Sequence, residues 1–274
     1  MGPRGRWAAG VVGCLLVLSG AASASDENVV VLEGCKDRWA FVLGVEEAVR
    51  SRVPARYELV RDLGTQRPLV FVEGGLRCDS YTVGGTSAAT TIASVAAVVE
   101  SPDGEGCLSA IPGLGDIKAD ALPVCNAYLL WDATDNARYA EFLRSGTPDF
   151  PIWVTDELLF EEGSFDLPLL GAPFHFQAGP SAPFRLTSDF VVRERPGPVP
   201  VATFFWTETA GGTVKLSFYI DDLEFGEASG TVRTEPGSEL AEIFGGEVGE
   251  PAPGLSLFGA ARWTRAVLAK TVIR

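Results

Sequence analysis

The sequence predicts a mainly β fold of the α+β kind, an antiparallel barrel or sandwich with a few short helices. Short runs rich in β-branched and aromatic residues recur along the 274 residues, separated by Gly, Pro or Asp. Only three stretches have clear helical composition, and all are short. Strands and helices do not alternate in the βαβ pattern of a parallel sheet, and many short strands with regular turns favour an antiparallel closed or packed sheet.

In chain order, Val29–Leu32 and Trp39–Leu43 read as strands, and 45–52 as a helix that stops before Val53-Pro54. Leu69–Glu73, Thr90–Val99 and Tyr128–Trp131 follow as strands. Residues 135–145 form a second helix, with Asp132, Thr134 or Asp135 as its N-cap and Gly146 as its stop. The later half holds strands over 152–160, 173–177, 184–194, 201–207, 213–220 and 231–234, with Ala210-Gly211-Gly212 as a hairpin turn. Residues 238–244 read as a third helix, and 260–272 as a closing strand or helix. No linker, repeat or heptad divides residues 25–274, so they are read as a single domain.

Composition narrows the function classes. The chain is 46% hydrophobic and 21% charged, with 36 acids against 22 Lys+Arg and a formal net charge of −14. That balance disfavours nucleic acid and anionic lipid, which both require clustered Lys/Arg. Lys36, Lys118, Lys215 and Lys270 are the only lysines, and His175 is the only histidine. No metal site is expected, since there is no C-x₂₋₄-C pair and His is scarce. Gly74-Gly75 and Gly84-Gly85 lack the spacing of a phosphate loop, and no cofactor is expected. No G-x-S-x-G elbow is present.

Residues 1–24 read as a secretory signal peptide: Arg4 and Arg6, an apolar Trp7–Leu18, then Ala22-Ser23-Ala24 as the cleavage site. The apolar run is too short for a stable membrane span. Cleavage after Ala24 leaves 20 − 36 = −16 and implies a secreted protein. Lipoprotein anchoring at Cys14 is the alternative. Export makes disulfides of Cys35, Cys78, Cys107 and Cys125 the expectation. Four cysteines permit three pairings; a Cys107–Cys125 bond would close one loop and leave Cys35 with Cys78, but the pairing stays open.

Several motifs occur in a telling order: Arg38-Trp39 on a strand, a helix ending at Val53-Pro54, then Ser80-Tyr81-Thr82-Val83-Gly84, then Tyr128-Leu129 followed by Asp135-Asn136 at a helix start. This order resembles the acetoacetate decarboxylase-like fold family over about residues 38–150. The resemblance implies a cone-shaped antiparallel β-barrel around a small apolar cavity. It places the family's N-terminal arginine on Arg38 and its cavity glutamate on Val83. The family's Schiff-base lysine, from a "PKK"-like element, would fall in Gly146–Pro151, where no lysine stands. Without an amine no imine forms, so the resemblance supports the fold and argues against the decarboxylase activity.

Arg38, Val83, Trp131 and Asn136 are therefore the expected ligand-binding positions, and Arg38 and His175 the catalytic candidates. Each has a plainer alternative. Arg38 reads equally as a surface strand residue, Asp132, Asp135 and Asn136 as helix caps more simply than as ligands of a cation or substrate, and His175 as a structural residue alternating with Phe174 and Phe176. Asp221, Asp222 and Glu224 read as a solvated turn rather than a calcium loop. The expected function is binding of a small apolar or weakly acidic molecule, with a lyase acting on a small oxo acid by non-Schiff-base chemistry as the alternative.

Overall fold

A computed structural model describes residues 29–104, 126–156, 158–161, 173–177, 186–192, 199–250, 252 and 258–274. Strand β1 runs unbroken over Val29–Leu43, joining two stretches that the sequence separates. The polar Glu33–Arg38 segment between them stays extended because it is paired on both edges, with Cys35 opposite Trp263 on one side and Cys78 on the other. After helix α1 (Glu46–Arg50) come β2 (Leu69–Val83), β3 (Thr86–Val98) and β4 (Asn126–Thr134). Helix α2 (Ala137–Arg144) and β5 to β8 (Ile152–Val154, Leu159–Glu161, Pro173–Gln177, Leu186–Val192) lie between β4 and β9 (Val199–Thr209). Strand β10 (Gly212–Thr234), helix α3 (Glu239–Phe244) and β11 (Phe258–Ile273) complete the order.

Seven strands close on themselves as β11-β1-β2-β3-β4-β9-β10, with β10 pairing back to β11. The ring is antiparallel except at β4–β9, which pair parallel, as do β4 and β5. A parallel pair needs a long crossover, and the whole α2-to-β8 segment supplies it. The antiparallel barrel expected from the sequence is present, with β4–β9 as its one parallel seam among the described ring strands. Strand β10 is also longer than expected: its register slips between Ile220 and Leu223, and its far half pairs with β8. Asp222 and Glu224 thus belong to a strand and not a turn; Asp222 accepts from the Thr264 N–H and hydroxyl, and Glu224 pairs with Arg262 at 2.6 Å.

Two apolar layers result from the alternation of side chains along each strand. One cluster draws on all seven ring strands, through Leu32, Leu76, Ile92, Leu129, Phe205, Leu216 and Leu268, and so fills the barrel; α2 plugs it with Tyr139, Phe142 and Leu143. The other packs Ala40, Val72, Val95, Leu130 and Phe204 on the outer wall against Val49 of α1 and Leu240 and Ile243 of α3. In Phe204-Phe205-Trp206 only Phe205 joins the interior.

The N-cap of α2 is Asn136, a capping residue the sequence also offers, and not Asp132, Thr134 or Asp135; its Oδ1 accepts from Arg138 N–H at 3.0 Å and Tyr139 N–H at 3.2 Å. Asp135 is occupied elsewhere, accepting from Thr91 N–H and pairing with Arg77. At the other end Lys270 of β11 donates to the carbonyls of Leu143 and Ser145, both at 2.6 Å, and to Thr147 Oγ1 at 2.9 Å. Cys35 and Cys78, directly opposed on β1 and β2, form a disulfide with Cα atoms 4.0 Å apart. Cys107, Cys125, Cys14 and the predicted signal peptide lie outside the described residues. Among those residues no helix is long and apolar enough to cross a membrane.

Candidate functional site

The barrel holds a cavity of about 110 Å³. Its wall takes every second residue from β1 (Asp37, Trp39, Phe41), β9 (Val201, Thr203, Phe205) and, for Phe218 and Ile220, β10. Leu223, Ala261 and Trp263 add to the same wall. Strand β2 breaks the alternation: Phe71, Glu73 and then Leu76 all face inward. A bulge at Gly74-Gly75 causes this, with a register shift between Glu73 and Leu76 and Gly75 at φ 142°, a region side chains rarely adopt. The wall is thus apolar and aromatic apart from Thr203 and two carboxyl groups.

A third carboxyl sits behind them. Asp132 of β4 and Glu73 share a recess of about 20 Å³ with Ser94 and Tyr139. A second bulge places it there: Val95 pairs with Trp131 and Ala96 with Leu129, so Leu130 is extra and both Leu129 and Asp132 turn inward. A third irregularity, between Lys36 and Trp39 of β1, lies beside Asp37. Each acid therefore stands at or beside a point where a strand departs from regular pairing.

The hydrogen bonding fixes a protonation constraint. Ser94 Oγ lies 2.9 Å from Glu73 Oε2 and 3.1 Å from Asp132 Oδ1. One hydroxyl carries one proton, so both contacts are hydrogen bonds only when one carboxyl is protonated and donates to Ser94. The electrostatics agree. Burial pushes Asp132 up to about 8, and burial with the Asp37 and Asp132 charges holds Glu73 well above the usual carboxylate range. Burial likewise lifts Asp37 to about 7, opposed by the backbone N–H and charge of Arg38. Two polar atoms at the cavity wall, Asp37 Oδ1 and Trp263 Nε1, are buried without a hydrogen-bond partner among the described residues. A carboxyl titrating near neutrality in an aromatic pocket is suited to exchanging a proton with a bound molecule.

None of Arg38, Val83, Trp131 and Asn136 lines this cavity, and the structure does not bring the four together. Arg38 is 1% exposed and stands on the other face of β1, with Ala40 and Val42, although its charge reaches Asp37. Val83 ends β2 opposite Val30 and packs at the margin of the interior cluster. Trp131 belongs to the outer cluster and borders a separate hollow of about 300 Å³ with Tyr128 and Glu208. Asn136 is the helix cap, its amide donating to Thr90 Oγ1 at 2.6 Å. His175 lies on β7, paired with positions Glu161 and Asp189.

Sequence reasoning missed Asp37 and Glu73, and favoured helix capping over ligand binding for Asp132, which the structure places in the recess against Ser94. The available signal was an acid at an apolar register of a strand: Glu73 two residues after Phe71, and Asp132 directly after Tyr128-Leu129-Leu130-Trp131. No described lysine reaches the cavity wall. Lys270 binds the end of α2, and Lys215 pairs with Asp103 at 2.6 Å while lying over the rings of Phe204 and Trp206.

Neither a protein-family model nor a curated protein sequence matches the chain. Solved structures do. An acetoacetate decarboxylase-like enzyme from Sphingomonas wittichii matches with TM-score 0.54 and 12% identity over 95% of this chain and 98% of that one. The enduracididine biosynthesis enzyme MppR with HEPES bound matches at 0.52 and 12%, over 98% and 97%. Acetoacetate decarboxylase from Legionella pneumophila matches at 0.52 and 11%, over 90% and 87%. Closed seven-stranded barrel, short helices and near-complete overlap agree: the chain has the acetoacetate decarboxylase-like fold.

Proposed function

We propose that the chain is an exported barrel that binds a small, largely apolar molecule in its interior cavity without Schiff-base chemistry. The observation that carries this is the cavity wall itself, aromatic and aliphatic apart from Thr203, Asp37 and Glu73, with no described lysine. Carboxyl groups on that wall favour the apolar side of the expectation over an acidic ligand, because a second anion there would meet like charges. Export is supported by the leader pattern of residues 1–24 and by the Cys35–Cys78 disulfide, a bond that persists in oxidising compartments.

Native mass spectrometry of the purified protein tests the binding. A small molecule retained by the wild type and absent from Ala261→Leu, which fills the cavity from β11, is the expected result. Retention by both proteins would place the ligand elsewhere. Borohydride added with acetoacetate is expected to leave no covalent adduct. For export, the secreted chain is expected to begin at Ser25, read by N-terminal sequencing.

One observation favours a second reading, a lyase acting on a small oxo acid. Asp37 faces the cavity with an unpartnered oxygen and titrates near neutrality, as an acid–base residue should. The structural neighbours named above include enzymes. Turnover of a 2- or 3-oxo acid that disappears in Asp37→Asn or Arg38→Ala would replace the binding reading with this one.

A further inference from the structure

We infer that the molecule held in the interior cavity is an organic cation, a small substituted ammonium seated between the Asp37 and Glu73 carboxyls and the aromatic walls. This rests on the proposed ligand-binding role of the same cavity and names the chemistry of its ligand. Asp37, Glu73 and Asp132 lie within one connected interior, yet among the described residues none of the three forms an ion pair within 4 Å. A buried carboxyl without a directly paired cation keeps its proton, and a cation beside it lets it ionise. A cation placed among them supplies the missing partner.

The rest of the wall fits that occupant. Trp39, Phe41, Phe71, Phe205, Phe218 and Trp263 surround the cavity. Aromatic rings attract alkylated ammonium groups through their negative faces, and an aromatic cage with carboxylates nearby suits a cation too bulky to form short salt bridges. The size agrees: a cavity of about 150 Å³ accepts benzene, so about 110 Å³ takes a group the size of trimethylammonium. Trp263 is 5% exposed and its Nε1–H lines the cavity without an acceptor. It calls independently for a ligand oxygen, such as a hydroxyl or ether beside the charged head. A metal ion fits poorly, since no three acidic, Cys or His side chains among the described residues are grouped to share one.

Calorimetric titration of the full mature chain with choline and with its neutral isostere 3,3-dimethyl-1-butanol is the test. Choline is expected to bind at least about tenfold more tightly. That preference is expected to fall to near unity in Glu73→Gln and in Asp37→Asn while the alcohol's affinity is kept, which also shows that the variants are folded. Equal or tighter binding of the alcohol overturns the inference and leaves the apolar-ligand reading standing. Choline binding that survives both substitutions, or Ala261→Leu, overturns it by placing the cation elsewhere. Binding of neither probe removes both the inference and the reading beneath it.

Discussion

Asp132 makes the stability of this barrel depend on pH in a direction opposite to that of most surface carboxylates. Its side chain is 3% exposed and held against Ser94, and burial raises it from 3.8 to about 8. Between those values the unfolded chain has lost the proton that the folded chain keeps. Stability is therefore fully present below the unfolded value and is lost as pH rises towards the folded one. The slope is about 1.4 kcal/mol per pH unit, so about 4 kcal/mol is lost between pH 5 and pH 8. Against a typical total of roughly 5–15 kcal/mol, that is a large share. Asp132→Asn keeps the shape and removes the titration. Guanidinium unfolding at pH 5, 6, 7 and 8 checks the claim. The wild type is expected to lose stability steadily across the series, and the variant to lose at least about 1 kcal/mol less per pH unit. Parallel pH profiles for the two proteins would refute the assignment of Asp132 as a buried, protonated acid.

Two further outcomes follow from the walls of the barrel. Replacing Cys35 and Cys78 with serine opens a cross-link spanning 43 residues of sequence, and chain entropy sets its worth at about 4 kcal/mol, read as a lower midpoint of chemical unfolding without change in the fold. Lys270→Met removes the donor to the Ser145 carbonyl and leaves that of Leu143 with only the Thr147 hydroxyl; a loss of about 2 kcal/mol, with faster amide exchange confined to α2, is the expected signature.

The elements legible in the sequence were those whose residues repeat a simple period or end in a specific cap. The hairpin at Ala210-Gly211-Gly212, the α3 start at Ser238 and the stop of α2 near Gly146 all follow from local chemistry, and the structure places Ser238 Oγ against Ala241 N–H and Gly146 at φ 72°. Strand length was less legible. Glu33–Arg38 has no strand signature alone and is extended only because β2 and β11 flank it. The parallel β4–β9 seam depends on partners 78 residues apart, such as Asn126 and Phe204, and leaves no local trace.

The site was hidden for a related reason. A regular alternation would put Glu73 and Leu76 on opposite faces, and Leu129 and Asp132 likewise. Bulges at Gly74-Gly75 and Leu130 bring each pair to the same side. A bulge is a property of two strands in register, so one strand's sequence does not announce it. Arg38 shows the converse. Its motif position drew attention to the right stretch of β1, but the side chains at the cavity are its neighbours Asp37 and Trp39.

The most direct measurement of the central claim is a crystal structure of the mature chain soaked with 3,3-dimethyl-1-butanol. The account predicts the molecule inside the barrel, between Phe71, Phe205 and Trp263 and beside Glu73. An empty cavity, or the molecule bound instead on the Arg38 face of the sheet, would contradict it.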